Sequence, residues 1–341
     1  MAGVTPSTDL RVGIVGAGAI AQIAHMPVLR KLKGVQVAAI CDSDGPKARA
    51  LATRFGIGAN FTDIEELLEF GEVDVVVVCT PNHLHEAHVV SALAAGAHVL
   101  VERPLALTAA GAARALKAAE RYRRTLHVAM NFRFRSDVQA VRGFVAGGEL
   151  GTLSAIRAGW LVYRAARQQL GWRLRSAESG GGAMMDLGLP MLDLAGWIGG
   201  CPAVERVTAK LDRAKGSGAV CDAGSALIQC AGGTDIFVEA SWRHFGAGEH
   251  LWLDVRGSKG SASISPLRVF KELHGAAVDV TPTGAASRES AFSASYRAEW
   301  AHFLAVVRGE IAGEPPEDQV QLLRVMEAIY RSADEQREVK L

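Results

Sequence analysis

Gly16-Ala17-Gly18-Ala19-Ile20-Ala21 carries the sharpest chemical signal in the chain, because it follows the β-branched apolar run Arg11–Val15 and opens a helical pattern reaching Leu32. The spacing matches G-x-G-x-x-G/A in the strand–turn–helix setting that makes it a dinucleotide-binding turn. Gly16 permits a tight turn and Gly18 lets the backbone approach a pyrophosphate. Ala19 and Ile20 open the helix whose N-terminus faces the phosphates, and Ala21 lets that helix pack on the strand. Asp42 ends the next strand-like run, Val35–Cys41, close to the ~20-residue offset at which a carboxylate binds the adenosine ribose hydroxyls. Ser43 and Asp44 follow it, with no arginine immediately after the acid, so the sequence predicts NAD over NADP. Taken singly, the glycines read as a chance turn and Asp42 as a helix cap; together they read as a cofactor site.

A second cluster begins at Cys79-Thr80-Pro81-Asn82-His83-Leu84-His85 and resumes at Ala95-Gly96-Ala97-His98-Val99-Leu100-Val101-Glu102-Arg103-Pro104. This order resembles the Gfo/Idh/MocA family of sugar and polyol dehydrogenases, with its TP-x-x-x-H and AGKHVL-x-EKP segments. The likeness extends through Asn131–Phe134, Trp172-Arg173 and Gly180-Gly181-Gly182-Ala183-Met184-Met185-Asp186-Leu187-Gly188 into the closing helix. It implies a nicotinamide cofactor bordered by Thr80, Pro81, Asn82, His85, Glu102 and Arg103, and a small polar substrate. It also implies a homodimer or homotetramer formed through an open sheet.

The chain departs from the resemblance at two positions. Arg103 stands where the family carries the EKP lysine, and Pro190 where it carries the acid/base histidine four residues after the aspartate. Guanidinium keeps its charge at any working pH and so cannot shuttle a proton, while proline has no ring nitrogen to titrate and suits the first turn of a helix. Candidates for the catalytic set are therefore Arg103 as an electrostatic anchor, with Asp186, His85 or Tyr163 moving the proton. The plainer readings are a capping carboxylate for Asp186, a cofactor-side or structural ring for His85 and a packed aromatic for Tyr163. His83, His85 and His88 do not form H-E-x-x-H, so a metal is not expected. Arg133 and Arg135 suit an anion or ordinary ion pairs, and Trp172 and Arg173 suit a pocket border or core packing.

These residues need a scaffold, and the hydrophobic periodicity supplies one. Strand-like runs at Arg11–Val15, Val35–Cys41, Val73–Cys79, His98–Val101 and Thr125–Met130 alternate with helices at Gly45–Phe55, Ile64–Phe70, His85–Ala95 and Ala109–Arg121. That alternation predicts an α/β, doubly wound Rossmann domain over residues 1–130. Residues 131–341 read as an α+β domain with an open-faced, mostly antiparallel sheet. Its strands are expected at Leu153–Val162, Val204–Asp212, Ser225–Ala231, Asp235–Ser241, Leu251–Gly257 and Ser261–Ser265, with covering helices near Leu187–Ile198, Tyr296–Arg308 and Pro316–Ala333. Ala231–Thr234 and Gly257–Gly260 look like hairpin turns.

At 341 residues the chain suits two cores, and a net charge of +1 provides no field to gather nucleic acid or an anionic membrane. Apolar runs stop well short of the ~20 residues of a membrane span, and five cysteines without C-x-x-C spacing suit reduced thiols in the cytoplasm. The function expected is an NAD-dependent oxidoreductase acting on a sugar, polyol or related hydroxy compound. The alternatives are a noncatalytic NAD-binding relative, or an NAD-using enzyme that reduces an imine or conjugated double bond or performs redox-assisted elimination.

Overall fold

The computed structural model describes residues 9–164, 167–213, 220–283 and 289–341, without the side chains of 167–170. The small, polar residues 1–9 predict a loose tail, of which 1–8 lie outside the described residues; Gly275–Ser290 reads as a loop from sequence, but Ala276–Asp279 forms a strand and 284–288 lie outside the described residues. The chain forms two compact units. One comprises the residues up to Ala106, Gly111–Ala129 and Tyr296–Glu317; the other comprises Leu107–Ala110, Met130–Ser295 and Asp318–Leu341.

The first unit holds a six-stranded sheet made of β1 (Leu10–Val15), β2 (Val35–Cys41), β3 (Ala59–Phe61), β4 (Val75–Val78), β5 (His98–Glu102) and β6 (Leu126–Ala129). Its order is β3-β2-β1-β4-β5-β6, and every pairing is parallel. All four valines of β4 are fully buried, as a parallel strand covered on both faces requires. The short β3 has too little apolar pattern to be read from sequence. Strand order reverses between β1 and β4, so their carboxyl ends flank the switch-point crevice in which such folds take ligands.

Local sequence punctuates this unit. Helix Gly45–Phe55 starts at Asp44, whose side chain accepts from the Lys47 N–H at 3.1 Å, carries proline in its first turn and ends on Gly56 at φ 69°. The helix after the glycine turn widens into a π turn at Ala21–His25 before Met26–Leu29, a departure that periodicity does not reveal. Tyr296, Trp300, Phe303 and Leu304, from helix Ala291–Val307, belong to the same core as Ile14, Ala21, Val75 and Val77.

The second unit carries a nine-stranded sheet: β7 (Leu153–Leu161), β8 (Val204–Asp212), β9 (Ala223–Cys230), β10 (Asp235–Ser241), β11 (His250–Gly257), β12 (Gly260–Ile264), β13 (Arg268–Leu273), β14 (Ala276–Asp279) and β15 (Val339–Lys340). The order is β14-β13-β12-β11-β7-β10-β9-β8-β15, antiparallel throughout except between β10 and β7. β9 and β10 alternate buried with more exposed residues, the mark of a sheet covered on one face. Both expected hairpins form. The sequence reading missed β13 and β14, which lie at the far edge of the sheet and include mostly exposed residues.

Trp300 is fully buried and its indole N–H donates to His25 Nδ1 at 3.1 Å. Trp300→Ala is expected to destabilise the first unit by about 3–5 kcal/mol, through a cavity and a stranded ring nitrogen. Urea unfolding followed by circular dichroism checks this; an unchanged midpoint would show that the indole is not part of the core.

Candidate functional site

The dinucleotide turn leaves β1 at Gly16, where φ is 100° and a Cβ would lie 2.6 Å from the Cys79 carbonyl carbon. Only glycine fits between the two loops at the switch point. Gly18 differs: a Cβ there would meet nothing nearer than the Cys79 oxygen at 3.9 Å, so its bare backbone faces open space that a pyrophosphate can enter. Ala19 and Ile20 start the helix beside it.

Asp42 follows β2 and braces the turn. Its Oδ2 accepts from the Ala17 N–H at 2.7 Å and from Lys47 Nζ at 2.8 Å, while Oδ1 accepts from the Asp44 N–H at 3.0 Å. Burial raises the carboxyl pKa, but these bonds and the Lys47 charge outweigh it and hold the group below its ordinary value. Lys47 was not singled out from the sequence. Its place in the first turn of the helix after Asp42 was the available signal. The residues present fit a dinucleotide: a glycine turn with open backbone, a helix start and an ionised acid with lone pairs left on Oδ1.

Across the crevice, Thr80, Pro81 and the buried Asn82 follow β4. His85 is completely buried, with Nδ1 2.6 Å from the Pro104 carbonyl oxygen and Nε2 2.8 Å from that of Thr80. Burial pulls its pKa down despite these acceptors. The ring joins two loops and has no nitrogen left for a substrate proton, which corrects its candidacy as an acid/base and leaves it beside the cofactor turn. His88 lies with Nδ1 3.1 Å from Thr80 Oγ1, and burial brings its pKa down to about 4.

Glu102 ends β5. Its carboxylate accepts from His25 Nε2 at 3.1 Å and the Tyr296 hydroxyl at 2.9 Å through Oε1, and from the Arg103 N–H at 3.3 Å through Oε2. Because Trp300 donates to His25 Nδ1, the neutral imidazole has its proton on Nε2 and points it at Glu102. Burial pushes Glu102 up, yet the His25 bond, the Arg103 charge and the Tyr296 bond together hold it below its ordinary value. Arg103-Pro104 is a cis peptide.

In the second unit, Asp186 lies on a π turn, Met184–Gly188, that leads into helix Leu189–Ile198 with Pro190 in its first turn. Asp186 Oδ2 accepts from Trp242 Nε1 at 3.0 Å and Arg164 Nη2 at 3.4 Å, and Oδ1 accepts from Arg173 Nε at 3.3 Å. The carboxylate is thus more than a helix cap. Tyr163 is 55% exposed and its ring packs 4.8 Å from that of Phe245, the packed aromatic of the plainer reading. Arg133 bonds Asp193 and Asp318, and Arg135 bonds Asp137, so both take the ion-pair alternative. Arg173 lies 4.5 Å over the Trp172 ring.

A Rossmann unit with this turn, followed by a mostly antiparallel sheet unit, defines a dinucleotide-binding protein of two units. Residues 10–130 match the family described as "Oxidoreductase family, NAD-binding Rossmann fold", and residues 138–263 match the GFO/IDH/MocA C-terminal domain. The chain belongs to the Gfo/Idh/MocA family. It is 35% identical to D-glucoside 3-dehydrogenase of Escherichia coli over 60% of this chain and 58% of that protein. It is 32% identical to dTDP-3,4-didehydro-2,6-dideoxy-alpha-D-glucose 3-reductase of Streptomyces violaceoruber over 76% and 77%. The crystal structure of GenD2 from gentamicin A biosynthesis in complex with NAD superposes with a TM-score of 0.84 at 28% identity, covering 98% of this chain and 96% of that one. The matched stretch spans little more than half the length of the E. coli relative.

Two outcomes follow for the first unit. Asp42→Ser removes the charge that repels a 2′-phosphate and releases the Lys47 ammonium, so the NADH-over-NADPH affinity gap is expected to narrow by about tenfold, or about 1.4 kcal/mol. Fluorescence titration reads it, and an unaltered gap would exclude Asp42 from cofactor choice. For Glu102, a lowered folded pKa means that the stabilisation is complete above the ordinary value of 4.5 and is lost as pH falls through the lowered value. Glu102→Gln is expected to lower stability at pH 7 and to flatten the acid limb of the urea midpoint against pH. The same acid limb in variant and wild type would rule this out.

Proposed function

We propose that the chain is an NAD-dependent oxidoreductase of a sugar, polyol or related small hydroxy compound. The observation that carries the reading is the Gly16–Gly18 turn at the sheet's switch point, with open backbone at Gly18 and an ionised Asp42 behind it. Gly16, Gly18, Ala19, Ile20 and Asp42 hold the adenosine and pyrophosphate, and Thr80, Pro81, Asn82, His85, Glu102 and Arg103 border the remainder. NAD, when bound, supplies the hydride acceptor.

The proton-handling residues differ from those the family resemblance implies. Arg103 keeps a permanent charge and anchors the substrate oxygen, polarising it as negative charge develops. Its backbone is fixed by Glu102, which accepts its N–H. Asp186 takes the hydroxyl proton on Oδ1, the oxygen with fewer donors, while Trp242 holds Oδ2 in place. The rival reading, a noncatalytic NAD-binding relative, is favoured by Arg103 and Pro190 standing at the lysine and histidine positions.

We further place the protein in the cytoplasm, where its five unbridged cysteines stay reduced. Among the described residues, no helix is long and apolar enough to cross a membrane. The uncovered sheet face, which exposes Leu227 and Phe270 to 39% and 38%, suits pairing with a second copy in a dimer or tetramer.

A panel of sugars and polyols with NAD, read by NADH absorbance, separates enzyme from binder. Arg103→Ala is expected to reduce kcat/KM about a hundredfold and leave the shape of the pH profile, whereas Asp186→Asn removes the limb reporting the proton acceptor. A fully active Asp186→Asn sinks the mechanism. NADH binding without turnover in the wild type, with turnover gained by Arg103→Lys plus Pro190→His, favours the noncatalytic reading.

A further inference from the structure

The surroundings of Asp186 have an unusual charge count. Arg133 bonds two carboxylates, Asp193 and Asp318, and Arg175 is held by its own, Glu178, three residues away. Around Asp186 the ratio is inverted: two guanidiniums, Arg164 and Arg173, converge on one carboxylate. Among the described residues, no second carboxylate pairs with either of them. Each reaches Asp186 through a single nitrogen at 3.4 and 3.3 Å, so most of their N–H donors are left over.

Their setting is half open. The Arg164 and Arg173 side chains are 42% and 39% exposed, against 18% for Asp186. Trp242, 2% exposed, donates its indole N–H to Asp186 and fixes the carboxylate from beneath. Arg173 is held over the Trp172 ring. A buried indole and a cation–π contact thus orient two partly hydrated cations, and the group as a whole carries one positive charge. A planar, singly charged oxyanion matches both that charge and the forked donors of guanidinium.

We propose that Arg164 and Arg173 form an anion subsite beside Asp186, and that the substrate is a sugar acid whose carboxylate sits on it. This rests on the sugar-oxidoreductase reading for the identity of the ligand, while the subsite stands on the charge count. A sugar phosphate shares the oxyanion chemistry, but its dianion exceeds the single positive charge available.

Binding, rather than turnover, tests it. Calorimetric titration of the NADH-bound protein compares matched pairs: D-glucuronate with D-glucose, D-galacturonate with D-galactose, and D-gluconate with D-glucitol. D-Glucose 6-phosphate serves as the phosphate probe. At least one acid is expected to bind ten times or more tighter than its neutral partner, with the gap shrinking as salt rises. Arg164→Gln and Arg173→Gln are expected to close the gap while an unchanged circular-dichroism spectrum and urea midpoint certify folding. Arg173→Lys is expected to retain part of it. No acid preference in any pair, or a preference that survives the double variant, overturns the subsite; tighter binding of glucose 6-phosphate than of every acid overturns the sugar-acid assignment. NAD-linked oxidation of neutral sugars without acid preference sinks this inference alone, whereas acid binding with no NADH formed sinks the oxidoreductase reading and leaves the subsite standing.

Discussion

A carboxylate inside a protein stays ionised only if donors replace the water it has lost, and the first unit is organised around meeting that demand at Glu102. The donors come from three parts of the chain: the π turn after the glycine loop, the residue following β5, and a helix almost two hundred positions downstream. Trp300 completes the arrangement by fixing the proton of His25 on the nitrogen that faces the carboxylate. This is why Tyr296–Glu317 belongs with the Rossmann strands. The same anion faces the Arg103 charge, so the network that holds the fold also fixes the backbone at the position where the family resemblance places a lysine.

Local charge ratios differentiate the remaining acids. Asp42 is balanced by one ammonium and braces the glycine turn; Asp193 and Asp318 share Arg133; Asp186 faces two guanidiniums. With a net charge of only +1 there is little long-range field, so what each site attracts depends on such near neighbours. Histidines follow the same logic. His85 and His88 were conspicuous in the sequence as titratable groups, yet burial and carbonyl or hydroxyl neighbours make them parts of the loop framework.

Much was legible from residue order. The parallel Rossmann sheet was visible because apolar runs alternate with helical periodicity, and five of the expected helices and strands, Val35–Cys41, Gly45–Phe55, Ile64–Phe70, Val204–Asp212 and Asp235–Ser241, have the bounds expected. These are segments in which local caps, turns and one-dimensional patterning agree with the fold. The edge strands β13 and β14 and the short β3 were missed because exposed or very short strands carry little periodic signal.

What the sequence by itself determined was the list of chemical groups and the scaffold type: a G-x-G-x-x-A turn after an apolar strand, an acid after the next strand, and Arg103 and Pro190 where the family resemblance implies a lysine and a histidine. What only the tertiary structure decided was the state and neighbours of each group. Lys47 on Asp42, His25 and Tyr296 on Glu102, and Arg164 and Arg173 on Asp186 are mostly long-range partnerships. Spacing along the chain does not encode them, because a side chain's charge, tautomer and accessibility are set by whatever the fold brings within a few ångströms of it.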